Sequence, residues 1–111
     1  MGGNVRISSG KVDEILSAAT ATGAGGAIYK TSPKTTFQAT VAGTGAVTAT
    51  VKIESSNNAV SWCSTALGTI TLSGTTTSTD GLATDAPWKY VRANVTAISG
   101  TGAAVTVLMG V

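Results

Sequence analysis

Apolar and polar residues alternate along five stretches of this chain, and the alternation limits the possible folds more than any other feature. In "AVTATVKIE", Val47, Ala49, Val51 and Ile53 alternate with threonine, lysine and glutamate. Successive side chains of a β-strand point to opposite faces, so a period of two predicts a strand with one buried face. The pattern predicts further inward-facing residues: Phe37, Ala39, Val41, Ile70, Leu72, Val91, Ala93, Val95, Ala97, Val105, Val107 and Met109.

Segments rich in glycine, serine and asparagine separate these stretches and predict tight turns. They are "AGTGA" at 42–46, "SSNNA" at 55–59, "SGTTTSTDG" at 73–81 and "SGTGA" at 99–103. Glycine and asparagine adopt positive φ at little cost, as hairpin connections require. The similar segments "AGTGAVTATV" and "SGTGAAVTVL" therefore predict two hairpins of similar build. Short strands with almost no helix predict an all-β fold, a single antiparallel β-sandwich that is jelly-roll-like.

The N-terminal part of the chain allows two interpretations. "SGKVDEILSAA" has apolar residues at helical spacing, namely Val12, Ile15, Leu16 and Ala19. "ILSAATATG" is equally typical of a strand that turns at "GAGG" into "AIYK". We divide the chain into residues 1–14, an N-terminal arm or first strand, and residues 15–111, the β-sandwich domain. In the arm, Val5, Arg6 and Ile7 are candidate partner contacts, because such a segment can add a short strand to a neighbouring sheet.

Composition excludes several classes of function. A chain of 111 residues is about one domain. Charged residues make up 11% of it, against about 25% in typical domains, and its lysines and arginines are scattered, so we expect no nucleic-acid binding. No apolar run approaches the roughly 18 residues of a membrane span, and the N-terminus lacks the apolar region of a signal peptide. We therefore expect neither membrane insertion nor export by a signal peptide.

No combination of residues predicts a reaction centre. The chain has no histidine and one cysteine, Cys63, which leaves zinc sites without ligands and nucleophiles without their usual base. Asp80 and Asp85 lie in "TDG" and "TDAP", where an aspartate commonly makes a turn. A hydrolase with paired carboxylates or a calcium site at these positions is the weaker interpretation. We expect no enzymatic activity, no cofactor and no metal.

The aromatic residues are concentrated in two segments, "ESSNNAVSW" and "DAPWKYVRANV". Together these resemble an S-N-D-G-x-x-W turn and a W-x-Y-V-R strand found in carbohydrate-binding jelly rolls of the galactose-binding kind. Asn58 and Ala59 stand here where that pattern has aspartate and glycine. We expect Trp62, Trp88 and Tyr90 to be structural aromatics that hold strands together, with Trp88 at the sandwich end where a loop enters the next strand.

Most of the chain resembles a family of phage structural proteins. The resemblance covers about residues 15–111 and is carried by "GTGAVTATVKIESSNNAVSW" and "LGTITLSGTTTSTDGLATDAPWKYVRANVTAISGTGAAVTVLMG". The family is the capsid decoration proteins, also called staple or cement proteins, of short-tailed bacteriophages of the epsilon-fifteen type. The resemblance implies a jelly-roll-like β protein on the outer surface of the virion, assembled in the cytoplasm of the host bacterium.

The same resemblance implies partners and a role. The partners would be the major capsid protein of the shell and a second copy of the chain, in a dimer on the capsid. The role would be stabilisation of the icosahedral shell by clamping neighbouring capsid subunits. Two alternatives are a phage tail or fibre component and a carbohydrate-binding adhesion module. An exposed aromatic platform would favour the adhesion module, and buried Trp62 and Trp88 would favour the staple.

Overall fold

A computed structural model describes residues 12–111 of the chain, and this part contains β-strands and no helix. The strands are β1 (Val12–Ala19), β2 (Gly23–Ala24), β3 (Ile28–Tyr29), β4 (Thr35–Ser56), β5 (Gly68–Thr84) and β6 (Tyr90–Gly110). The predicted all-β class is confirmed, and the N-terminal part forms a strand where a helix was the alternative. The predicted arm contacts Val5, Arg6 and Ile7 lie outside the described residues, so their role stays a prediction.

All six strands belong to one antiparallel sheet in the order β1-β6-β4-β5. The short strands β2 and β3 also pair with β6, on the same side as β1. The segment from β1 to β3 therefore follows β6 along much of its length, and β5 forms the opposite edge of the sheet. Because β1 begins at Val12, it crosses the boundary predicted at residue 15.

The three long strands bend along one line. Positive φ angles occur at Gly45 in β4 (76°), Thr76 in β5 (67°), and Gly100 and Gly102 in β6 (119° and 67°). The pairing of β4 with β5 shifts register between Ala42 and Ala46, and the pairing of β4 with β6 shifts between Ala42 and Thr48. Bulges of this kind bend a sheet sharply. We call the line through these four positive-φ residues the crease.

The sheet folds back on itself at the crease into two layers. Gly68 and Leu82 lie near opposite ends of β5, which in a straight strand would separate them by roughly 45 Å. A Cβ placed on Gly68 would nevertheless overlap the Leu82 side chain. The first layer comprises residues 12–19, 35–42, 77–84 and 104–110, and the second comprises residues 23–29, 46–56, 68–75 and 90–99.

The overall dimensions, 39 × 38 × 17 Å between Cα atoms, agree with two sheet layers packed about 10 Å apart. The arrangement is therefore consistent with the predicted β-sandwich. Its two layers belong to one continuous hydrogen-bonded sheet. The jelly-roll connectivity stays a prediction.

One hydrophobic core lies between the layers, and all but one of the predicted inward residues are buried in it. Its largest fully buried side chains are Phe37, Ile53 and Leu72. The prediction for Ala97 is wrong, because Ala97 is exposed. A bulge places Ala97 opposite Thr50 while Val95 lies opposite Val51, so the alternation changes face between Val95 and Ala97.

Three of the four predicted turns lie inside strands. "AGTGA", "SGTTTSTDG" and "SGTGA" belong to β4, β5 and β6, and the glycines at the crease bend these strands without ending them. The predicted pair of similar hairpins is therefore wrong, and the two G-T-G segments form matching bends of neighbouring strands. "SSNNA" does begin the turn at the end of β4.

Candidate interaction surfaces

The outer face of the first layer carries no ionisable side chain on its three long strands. Directly opposite residues of antiparallel strands share a face, so the register places four residues of β4 beside four of β5 and four of β6. We call this set the neutral face: Thr36, Gln38, Thr40, Ala42, Thr77, Thr79, Gly81, Ala83, Ala104, Thr106, Leu108 and Gly110. The charge of Asp80 does not belong to it, because Asp80 is opposite the buried Ala39.

Three threonine hydroxyl groups on the neutral face make hydrogen bonds within the sheet. Thr40 Oγ1 and Thr79 Oγ1 are 2.8 Å apart across the β4–β5 pair, and Thr106 Oγ1 accepts a hydrogen bond of 3.1 Å from the Ala18 amide. At the β1 edge of this face, Val12 lies opposite Gly110 and is 68% exposed. Glu14, also exposed, lies opposite Leu108 on the same edge strand. The face is thus polar without charge on its three long strands, and its β1 border carries one exposed apolar side chain and one carboxylate.

The outer face of the second layer has a different chemistry, because charged residues occupy the corresponding positions. Glu54 in β4 lies opposite Arg92 in β6, and Arg92 Nε donates to Glu54 Oε1 over 2.7 Å. Asn94 Nδ2 donates to the other carboxylate oxygen over 3.1 Å. The Arg92 guanidinium also lies 4.3 Å from the centre of the Trp62 ring. The contacts of Glu54 with Arg92 and Asn94 join β4 and β6 and require their register, so the sheet positions this ion pair.

A compact turn after β4 positions Trp62. The Ser56 hydroxyl donates to the Ser61 carbonyl and accepts hydrogen bonds from the amides of Asn58 and Ala59. The Asn58 side-chain oxygen accepts from the amides of Val60 and Ser61. Ala59 has a positive φ of 59°, at the position where the galactose-binding pattern has glycine. The residue at this position therefore has the left-handed backbone conformation that glycine adopts easily. Because alanine disfavours this conformation, the turn is strained here.

All tryptophans and tyrosines of the chain lie near the end of the second layer that is remote from the crease. Tyr29 lies opposite Tyr90, and their rings make an edge-to-face contact with centroids 5.4 Å apart. Trp88 precedes β6, and Tyr90 is two residues before Arg92 on the same face. We call Tyr29, Trp62, Trp88 and Tyr90 the aromatic end.

A cleft of about 290 Å³ opens at the aromatic end. Its walls are the segment after β3 and the segment before β6, and its lining includes Tyr29, Lys30, Pro33, Pro87, Trp88 and Lys89. Tyr29 is 56% exposed, whereas Trp88 is half-buried. The cleft thus combines two aromatic rings, both prolines of the chain and two amines.

Lys30 connects the two walls of the cleft. Its side chain is buried, and Nζ donates to the carbonyl of Pro33 on one wall, over 3.2 Å, and to the carbonyl of Ala86 on the other. The Lys30 amide also donates to the Lys89 carbonyl over 2.7 Å. Burial lowers the pKa of the Lys30 ammonium, and the negative charge of Asp85 opposes that shift. The cleft is therefore braced before any ligand binds.

The predicted structural aromatics occupy different surroundings. Trp62 contacts Arg92, Tyr90 contacts Tyr29, and Trp88 lines the cleft. Trp62 and Trp88 are both half-buried, so they are neither the fully buried side chains expected of a staple nor a fully exposed platform. Their predicted structural role stays a prediction. Sequence reasoning missed Tyr29 and Lys30, because no local pattern marks a lysine that two distant loops enclose.

Asp80 and Asp85 do not combine into a site with other ligands. Asp80 accepts a hydrogen bond from the Gly81 amide over 2.8 Å and lies within β5. Among residues 12–111, no group of three or more histidine, cysteine, aspartate or glutamate side chains is arranged to hold a metal ion. The same residues include no helix of the length and hydropathy needed to cross a membrane.

Comparisons of the chain with protein-family models, with curated proteins and with solved structures find no match.

Proposed function

We propose that this protein decorates the outer surface of a tailed-phage capsid and staples neighbouring capsid subunits, with the neutral face as the surface that contacts the shell. The observation that supports the proposal most is the absence of charge on that face, across three strands of the described sheet. The proposal also rests on the resemblance of the sequence to capsid decoration proteins.

The physical reason concerns the cost of removing a surface from water. Burying an unpaired charge in an interface is costly, whereas hydroxyl and amide groups can exchange water for hydrogen bonds with a partner. Thr36, Gln38 and Thr79 are exposed and uncharged, so they can be covered by protein without a charge penalty. Covering the neutral face with protein therefore has a smaller desolvation cost than covering the outer face of the second layer, where Lys52 is exposed beside the Glu54–Arg92 pair.

The area of the neutral face favours a partner that repeats. Three strands spaced about 4.8 Å apart, with eight residues rising about 3.4 Å each, cover roughly 400 Å². That is about half the contribution of one partner to a standard interface, near 800 Å². A single such contact is weak, but a lattice offers many identical sites. A protein that binds only the assembled lattice stabilises it by its binding free energy at every site.

The test is co-sedimentation of the purified protein with undecorated, expanded shells and with unassembled capsid protein. We expect saturable binding to shells, a higher melting temperature of the decorated shells, and little binding to free subunits. A tail or fibre component would instead bind tail proteins and leave shell melting unchanged. Binding to a host glycan with no affinity for shells would contradict the proposal.

A further inference from the structure

The cleft at the aromatic end has features of a binding site that the neutral face lacks. Lys30 is 5% exposed, and its ammonium carries three N–H donors. Within residues 12–111 two acceptors are present, the carbonyls of Pro33 and Ala86. The third donor has no acceptor among these residues, so it is available to an acceptor that enters the cleft.

A second amine adds positive charge to the cleft. Lys89 also lines it and is exposed, and the described residues provide no carboxylate that pairs with the Lys89 ammonium. Asp85, which interacts electrostatically with Lys30, is the acidic residue nearest in sequence to this wall. The two ammonium groups of the cleft thus outnumber the one aspartate that interacts with Lys30. This balance favours a ligand that brings a carboxylate, because charge-assisted hydrogen bonds are the stronger ones.

The walls of the cleft are poorly suited to a peptide main chain. Pro33 and Pro87 have no amide hydrogen, and Lys30 already occupies the carbonyls of Pro33 and Ala86. Strand addition needs a row of free backbone donors and acceptors, and Pro33, Ala86 and Pro87 interrupt such a row on both walls. The groups that favour side-chain recognition are the rings of Tyr29 and Trp88 and the two amines, beside the hydroxyl residues Thr31 and Ser32.

We propose that this cleft binds a sugar unit that carries a carboxylate, such as a uronic acid at the end or along the chain of an acidic glycan. The pyranose ring packs against Trp88 and Tyr29, and the carboxylate accepts hydrogen bonds from Lys89 and from the remaining donor of Lys30. A volume of about 290 Å³ is close to the lower limit of small-molecule sites, near 300 Å³. The cleft therefore admits about one sugar unit. This binding is independent of contact with a shell through the neutral face.

The test uses a matched pair of ligands and the complete protein. Methyl β-D-glucuronide and methyl β-D-glucoside differ at one carbon, which carries a carboxylate in the first and a hydroxymethyl group in the second. NMR titration of the two tryptophan indole N–H signals should show the Trp88 signal moving and the Trp62 signal unmoved. We expect the glucuronide to bind about tenfold more tightly than the glucoside, the ratio that one good charged contact contributes.

Variants identify the groups responsible. Lys89→Ala should weaken glucuronide binding about tenfold and leave glucoside binding unchanged. Lys52→Ala removes an exposed lysine from the outer face of the second layer and should change neither affinity. Tyr29→Ala should weaken both sugars by the same factor. A thermal melt of each variant shows whether it remains folded.

Three results would overturn the proposal: equal binding of the two sugars, no binding of either, or equal effects of the two lysine variants. A tetraglutamate peptide that binds more tightly than the glucuronide would also overturn it, and would show that the cleft takes an acidic peptide.

Discussion

The two layers share β4, β5 and β6 and enclose one core, but their outer faces differ. On the first layer, threonine, alanine, glycine, one glutamine and one leucine form the neutral face. On the second layer, Glu54 and Arg92 pair beneath Trp62, and all tryptophans and tyrosines lie near one end. Side chains that point inward must be apolar and must fit the core. Side chains that point outward can differ in polarity and charge from one layer to the other. One folded sheet thus provides two outer surfaces with different chemistry. One can contact a shell while the other holds a ligand cleft.

The two layers form because the sheet bends at the crease, so we expect the largest effect of a substitution on stability there. Gly100 has a φ of 119°, and a Cβ on it would lie 2.6 Å from the Ala46 carbonyl oxygen. Gly100→Ala should lower the free energy of unfolding by about 3 kcal/mol, because backbone strain and steric overlap add. Gly102→Ala is the control: it also has positive φ but open space around it, and should cost about 1 kcal/mol. Urea denaturation measures both, and equal costs would mean that the crease is not tightly packed at Gly100.

The Glu54–Arg92 pair on the outer face of the second layer should contribute to stability. The side chains of Arg92 and Glu54 are 26% and 16% exposed, so solvent screens their pairing only in part. Arg92→Met should lower the free energy of unfolding by about 1–2 kcal/mol through loss of the ion pair and of the contact with Trp62. Lys52→Met, at an exposed lysine of the same face, should change it by less than about 0.5 kcal/mol. Similar values for the two variants in urea denaturation would show that the Glu54–Arg92 pair is not stabilising.

The smallest effect is expected in the turn that positions Trp62, and it has the opposite sign. Ala59 has a φ of 59°, a conformation that glycine adopts without strain. Ala59→Gly should raise the free energy of unfolding by about 0.5–1 kcal/mol, because relief of strain exceeds the added entropy of the unfolded chain. The expected shift in melting temperature is upward. A lower melting temperature would mean that the Ala59 methyl group makes contacts that outweigh the strain.

Strand identity and core residues could be predicted because they depend on local alternation. Val47 to Ile53 and Val91 to Val95 alternate without interruption, and their inward residues are buried. The crease could not be predicted, because a glycine with positive φ serves a hairpin turn and a bend within a strand equally well. Gly45 and Gly102 were therefore assigned to hairpin turns. Ala97 was assigned to the wrong face because a bulge leaves no local mark on the alternation.

The candidate surfaces depend on register and on loop contacts, which local patterns do not contain. The neutral face can be recognised only once the strand register is known, which places Thr40 between Thr79 and Thr106. Lys30 resembles any scattered surface lysine in the sequence, and its burial depends on the meeting of the segments around Pro33 and Ala86. The aromatic segments of the sequence contain Trp62, Trp88 and Tyr90, but no local pattern places Tyr29 beside Tyr90.

The most direct test of shell contact through the neutral face uses two variants, each with one added charge on the same edge strand, one in the first layer and one in the second. Thr79 and Thr71 are both exposed and outward-facing in β5, Thr79 opposite Thr40 in the first layer and Thr71 opposite Thr50 in the second. We would measure the affinity of Thr79→Glu and Thr71→Glu for undecorated, expanded shells, after confirming by thermal melts that both are folded. If the neutral face contacts the shell, Thr79→Glu should lose at least about a tenfold factor in affinity, since a buried unpaired carboxylate costs more than about 1.4 kcal/mol, and Thr71→Glu should lose none. Equal losses, a greater loss for Thr71→Glu, or no binding of the unmodified protein to shells would contradict it.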